Sequence, residues 1–146
     1  MELGIGQVAE RTGMSVHALR LYEREGLMAG PVRRDAGGRR VYTEWDVEWL
    51  LYCAKFRASG MPLATIRKFA DLVRRGPGTE PERLELLREH QEQVVARIAE
   101  LNECLDVISD KVRVYGEHVA RGSAAGLWSH PAAAAGSPED PVYGVR

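Results

Sequence analysis

Apolar residues in the first half of the chain fall at helical spacings that glycine interrupts. Ile5, Val8 and Ala9 share one face of a helix predicted over Ile5–Arg11. Gly13 ends it, because a sharp helix-to-helix turn needs a residue that takes φ > 0 cheaply. Ser15 is a good N-cap for a second helix, Val16–Arg24, since its hydroxyl can accept from the open amides of the first turn. That helix turns Val16, Leu19 and either Leu21 or Tyr22 inward and leaves His17, Arg20 and Arg24 outward. Thr43 caps a third helix, whose Glu44 and Asp46 suit the positive end of its dipole. It carries Trp45, Val47, Trp49, Leu50, Leu51, Ala54 and Phe56 and stops at Gly60. Pro62 fits the first turn of a fourth, with Leu63, Ile66, Phe69, Ala70 and Val73 on its inner face.

Two stretches break this rhythm. Residues 29–40, AGPVRRDAGGRR, combine turn chemistry with four arginines, and Val41-Tyr42 reads as a short strand leaving them. This is the pattern of a β-wing. Beyond Gly76-Pro77-Gly78, Leu84, Leu87, Gln91, Val94, Ile98, Leu101, Leu105, Ile108, Val112 and Tyr115 alternate steps of three and four without a slip. That is a heptad seam flanked by Glu, Arg and Lys. A head this small cannot cover so long a stripe, so a coiled-coil dimer is expected. The chain is therefore read as mainly α: a winged helix-turn-helix head over residues 1–76, a coiled-coil helix over 80–118, and a flexible Gly/Ala/Pro-rich tail over 119–146.

Charge sharpens the reading. The formal net charge of −1 hides an excess of four basic residues over 1–78 and of five acidic residues over 79–146. A basic front on an acidic body fits a nucleic-acid head joined to a part that does not bind. The second helix of such a head enters the major groove by its first residues, here Ser15, Val16 and His17, followed by Arg20. Arg20 can hold guanine through two donors or clamp a phosphate, and the Tyr22 hydroxyl can reach a phosphate. Arg33, Arg34, Arg39 and Arg40 would neutralise flanking phosphates and release counterions. Two cysteines, Cys53 and Cys104, make no disulfide framework. No leader and no membrane-length apolar run stands in the sequence, so a cytoplasmic protein without membrane association is expected.

The stretches I-G-Q-V-A-x-x-T-G-M-S, A-L-R-L-Y-E-R-E-G-L, G-R-R-V-Y and S-G-M-P-L-A-T-I-R-K-F together resemble the MerR family of bacterial transcription regulators. The resemblance covers residues 5–75 closely and the coil in outline. It implies an antiparallel coiled-coil homodimer that sets two heads on one pseudo-palindromic promoter operator. The dimer would bend and untwist the spacer between promoter elements so that RNA polymerase can engage both. Carried over by position, Arg20 and Tyr22 fall on the recognition helix, Arg40 and Tyr42 on the wing pattern, and Arg57 where a further basic contact reaches the DNA backbone. Leu21 and Arg39 stand where the family commonly has aromatics.

In this family the segment after the coil sets the signal that is sensed. About thirty residues lie beyond the coil here, too few for a drug-binding cavity. Thr79 stands where metal sensors place a cysteine, no Cys comes after Cys104, and His118 and His130 are isolated, so no metal and no cofactor are expected. Thiol sensing of electrophiles or oxidants through Cys53 or Cys104 is one alternative, although Trp49 and Leu50 beside Cys53 favour a small buried hydrophobe. A coiled-coil adaptor without a DNA role is the other, and it leaves the basic head unexplained. No Cys-x-x-Cys, phosphate-binding Gly loop or nucleophile elbow suggests an enzyme.

Overall fold

Gly13 turns the chain as its position suggests. It adopts φ 74°, and its amide donates to the Ala9 carbonyl at 3.0 Å. It joins α1 (Ile5–Thr12) to α2 (Val16–Arg24) in a computed structural model that describes residues 1–128. The remaining elements are β1 (Leu3–Gly4), β2 (Arg33–Arg34), β3 (Arg40–Tyr42), α3 (Glu44–Ala58), α4 (Leu63–Arg74), α5 (Glu80–Arg121) and a 3₁₀ turn at Ala124–Gly126. α3 opens on a capping box. Thr43 Oγ1 accepts from the Asp46 amide at 3.2 Å, and Asp46 Oδ2 accepts from the Thr43 amide at 2.8 Å.

The wing is more elaborate than one strand. β3 is the centre of a three-stranded antiparallel sheet in the order β1-β3-β2. Leu3 lies opposite Tyr42, Arg33 opposite Val41, and Arg34 opposite Arg40. β1 has only two residues, too few for alternation to announce it. The hairpin closes on Asp35, whose Oδ1 accepts from the amides of Gly37 at 2.9 Å and Arg39 at 3.0 Å, with Gly38 at φ 78°.

Val8, Leu19, Leu27, Tyr42, Val47, Leu50, Cys53, Met61 and Ile66 fill the core with almost no exposure. Burying each large apolar side chain of this kind stabilises the head by about 1.5–3 kcal/mol. The Trp49 indole donates to the Leu27 carbonyl at 2.9 Å and stacks on Phe69 with ring centroids 5.5 Å apart. Leu19 and Tyr22 are the inward pair of α2, while Val16 and Leu21 are only half-buried. Trp45 and Leu51, counted with the apolar set of α3, are exposed. α3 is apolar nearly all round, but only one arc of it faces the head.

The chain divides into two compact units, with the break after Val95, inside α5. In the first, Leu86 packs against the core, His90 Nε2 lies 2.8 Å from Ser59 Oγ, and Phe56 meets the His90 ring edge-on. In the second, α5 continues three residues past His118, and the Ser123 amide then donates to the His118 carbonyl at 2.9 Å. Lys111 Nζ sits 5.4 Å from the Trp128 ring centroid. Residues 119–128 are thus helix and turn where a tail was expected, and the rest of that tail, with His130, lies outside the described residues. Along α5 the seam residues Leu84, Ile98, Leu101, Leu105, Ile108 and Val112 are exposed, whereas Leu87, Val94 and Tyr115 are half-buried. No helix among the described residues is long and apolar enough to cross a membrane.

Candidate nucleic-acid interface

Ser15 sets the start of α2. Its backbone is extended, and its Oγ accepts from the Ala18 amide at 3.0 Å, so the hydroxyl serves the helix as its cap. Beyond it His17, Arg20 and Arg24 are exposed. Arg20 forms no ion pair or hydrogen bond among the described residues, which leaves its guanidinium available to an outside acceptor.

The wing approaches this helix. A groove of about 610 Å³ is lined by Arg20, Arg34, Arg39 and Arg40 together with Glu2 and Asp35. Four of the expected contact residues therefore meet in one place. Ser15, Val16, His17, Tyr22, Arg33, Tyr42 and Arg57 do not line it. Arg39 is 84% exposed at its side chain and lies 3.4 Å from Asp35. The amide of Arg39 holds the Asp35 carboxyl below its usual pKa, with the Gly37 amide and the Arg39 charge adding to that, so Asp35 stays ionised and keeps the turn closed. Arg33 pairs with Glu2 at 3.3 Å. Arg34 and Arg40 both pair with Glu23 of α2, Arg34 at 3.3 Å. Arg57, on the last turn of α3, is exposed and donates from Nη1 to the Met61 carbonyl at 2.9 Å.

Comparison with known proteins agrees with this geometry. Residues 3–72 match the family model described as MerR HTH family regulatory protein, and residues 48–110 match that described as MerR, DNA binding. An uncharacterized HTH-type transcriptional regulator of Haemophilus influenzae is 37% identical over 117 residues, covering 80% of this chain and 86% of that protein. The chain belongs to the MerR family. Among solved structures, HiNmlR, described as a MerR family regulator lacking the sensor domain, bound to promoter DNA, superposes with a TM-score of 0.77 at 35% identity. The match covers 87% of this chain and all of HiNmlR. A MerR family regulator of Bacillus thuringiensis gives a TM-score of 0.69 at 28% identity, over 79% of this chain and all of that one. These relatives are transcriptional regulators, so this MerR chain is a DNA-binding regulator and not an enzyme.

Within that MerR head, two expected roles change. Tyr42, read as a wing contact, is fully buried, and its hydroxyl has no hydrogen-bond partner among the described residues. Strand alternation is the cause: opposite Leu3, Tyr42 points into the core and cannot meet a phosphate from there. Tyr22 keeps only 5% exposure. Burial raises the pKa of both phenols, so both stay protonated at neutral pH. Cys53 is the second correction. It is wholly buried, and desolvation pushes its pKa up to about 12. Thiolate is the reactive form, so this burial suits Cys53 to packing as a small core hydrophobe. Cys104 is exposed on α5. Among the described residues no His, Cys, Asp or Glu cluster could hold a metal ion.

Three residues that matter to the site carried no signal in the sequence. Glu23 binds two wing arginines. Arg67 Nε donates to the Glu25 carbonyl at 2.7 Å, and Arg74 Nη1 donates to the carbonyls of Gly26, at 3.1 Å, and Met28. Those two α4 arginines fasten the end of the recognition helix. Their ordinary spacing along α4 did not distinguish them from a solvated helix face.

Proposed function

We propose that the protein acts as a homodimer that binds a pseudo-palindromic promoter operator and controls transcription by bending and untwisting the spacer DNA. One observation carries the reading: a seam in unbroken heptad spacing from Leu84 to Tyr115 on α5, with Leu84, Ile98, Leu101, Leu105, Ile108 and Val112 exposed, comes directly after a DNA-binding head. Leaving that many apolar side chains in water is costly, and an antiparallel second α5 would cover them. Such pairing puts the two heads a fixed distance apart on one face of a duplex, which suits half-sites related by a two-fold axis. The DNA-bound relative HiNmlR supports the same use of the head.

At each half-site α2 enters the major groove with Ser15, Val16, His17 and Arg20 nearest the bases, while Tyr22 offers at most its hydroxyl at the groove edge. Arg33, Arg39 and Arg57 meet flanking phosphates. A rigid coil that holds both heads on the duplex strains the spacer between them, and relief or maintenance of that strain governs access by RNA polymerase in the cytoplasm. Binding of the purified dimer to duplex DNA selected from a randomised pool, measured against salt, tests the reading. The logarithm of the affinity should fall linearly with log salt, by about 0.9 per phosphate neutralised. Arg20→Ala should weaken the selected duplex and relax its sequence preference. A monomer in solution, or affinity that ignores both salt and Arg20→Ala, overturns it.

A further inference from the structure

The wing contains a local electrostatic conflict. Arg34 and Arg40 are direct cross-strand partners on the antiparallel β2–β3 pair. Like charges in that relation repel and destabilise the hairpin. Here the Glu23 carboxylate binds both and offsets that repulsion. Oε1 takes Nη2 of Arg34 at 3.3 Å, and Oε2 takes Nε of Arg40. The pair with Arg40 is withdrawn from solvent, with each side chain about one-quarter exposed. In that setting a lost partner leaves a charge poorly compensated. Arg34 Nη1 further donates to the Gly38 carbonyl at 3.2 Å, which extends the hold to the tip of the wing.

The place of Glu23 gives this contact a consequence. It lies one turn after Arg20 on the recognition helix, and residues three apart on a helix are neighbours. Arg40 lies on β3, the central strand, so a tether there fixes β1 and β2 as well. One carboxylate thereby sets the separation between Arg20 on the helix and Arg39 on the wing, both of which line the same groove. We propose that Glu23 is a positioning residue for DNA recognition: it holds Arg34 and Arg40 as structural cations and locks the wing against the recognition helix. Arg34 and Arg40, expected from the sequence to sit on phosphates, then act through geometry, while Arg20 and Arg39 remain to make contact. This rests on the DNA-binding reading of the groove.

Glu23→Gln tests it with opposite signs for the two cases. A carboxylate beside a polyanion is unfavourable, so if Glu23 is a bystander its removal tightens DNA binding and frees two arginines for phosphates. If Glu23 positions the wing, the variant binds the pool-selected duplex about tenfold more weakly, the size expected for losing a hydrogen bond to a charged group. Its binding to an unselected duplex, which depends on charge alone, should hold or rise. Hydrogen exchange on the DNA-free chain supplies a readout that does not involve DNA. Amides of the β2–β3 ladder should exchange faster in Glu23→Gln, while protection of α1 to α4 stays, which also verifies that the head is folded.

Arg40→Lys is the second variant. It keeps the charge but loses the guanidinium fork, so it should loosen the wing as Glu23→Gln does, and the two changes together should be no worse than either alone. Wild-type exchange in the ladder of either variant overturns the proposal. So does tighter binding of the selected duplex by Glu23→Gln. If the wild-type chain shows no salt-dependent DNA binding, the groove reading fails and with it the role in recognition, and the exchange data still report on the tether.

Discussion

Single side chains divide into those that solvent can reach and those that only packing reaches, and three predictions rest on that boundary. The Tyr42 hydroxyl is buried without a partner among the described residues, a state that costs a few kcal/mol at most and is relieved by removing the oxygen. Tyr42→Phe should leave thermal stability unchanged or raise it by about 1 kcal/mol, and DNA affinity should not move. A large loss of affinity would mean that the phenol reaches DNA. Cys53 and Cys104 should react differently with a thiol reagent: Cys104 in the native protein, Cys53 only on unfolding. Cys53 also links stability to pH. Its pKa is near 9 when unfolded and about 12 when folded, so the native thiol holds its proton where the unfolded one has lost it. That contribution is complete below about pH 9 and is lost as pH rises toward 12, and Cys53→Ala should flatten the alkaline fall in denaturation midpoint.

Elements obey their local signals closely where caps and glycines mark them. Thr43 and Asp46 form the capping box that starts α3, and Thr43→Ala should lower stability by about 1 kcal/mol, read from chemical denaturation. An effect well below that would mean that packing alone holds the helix start. α1, α2 and α4 were legible because Gly13, Ser15 and Pro62 punctuate amphipathic runs. The sheet was not. β1 pairs with β3 across nearly forty residues of sequence, and a two-residue strand has no period to detect. The burial of Tyr42 depends on that pairing, and the tether at Glu23 depends on the packing of α2 against the β2–β3 hairpin, so neither was visible in the chain alone. The exposed Trp45 and Leu51 show the converse: an apolar residue on a helix says nothing about which arc the rest of the head will cover.

At the scale of the whole molecule, the prediction concerns assembly. Leu101→Asp with Leu105→Asp places two charges on the exposed seam of α5, where each would be buried against a second copy. Sedimentation should show the wild-type chain as a dimer and this variant as a monomer, with helicity of the head retained. Operator affinity should fall steeply, because one head captures only its own half-site and loses the effective concentration of the other. A variant that still sediments as a dimer would remove the seam from the interface.

The order of the helices, the basic wing, the heptad stripe and the family were all written in the sequence, because spacing, capping residues and glycines act over a few neighbours. Which arginines are free was not. Arg20, Arg34, Arg39 and Arg40 look alike along the chain, and only their partners separate them. The partner of Arg34 and Arg40, Glu23, comes from a different element, and packing determines that meeting. The same holds for Cys53, whose chemistry is set by the side chains that exclude water from it, and for Tyr42, whose direction is set by the strand beside it.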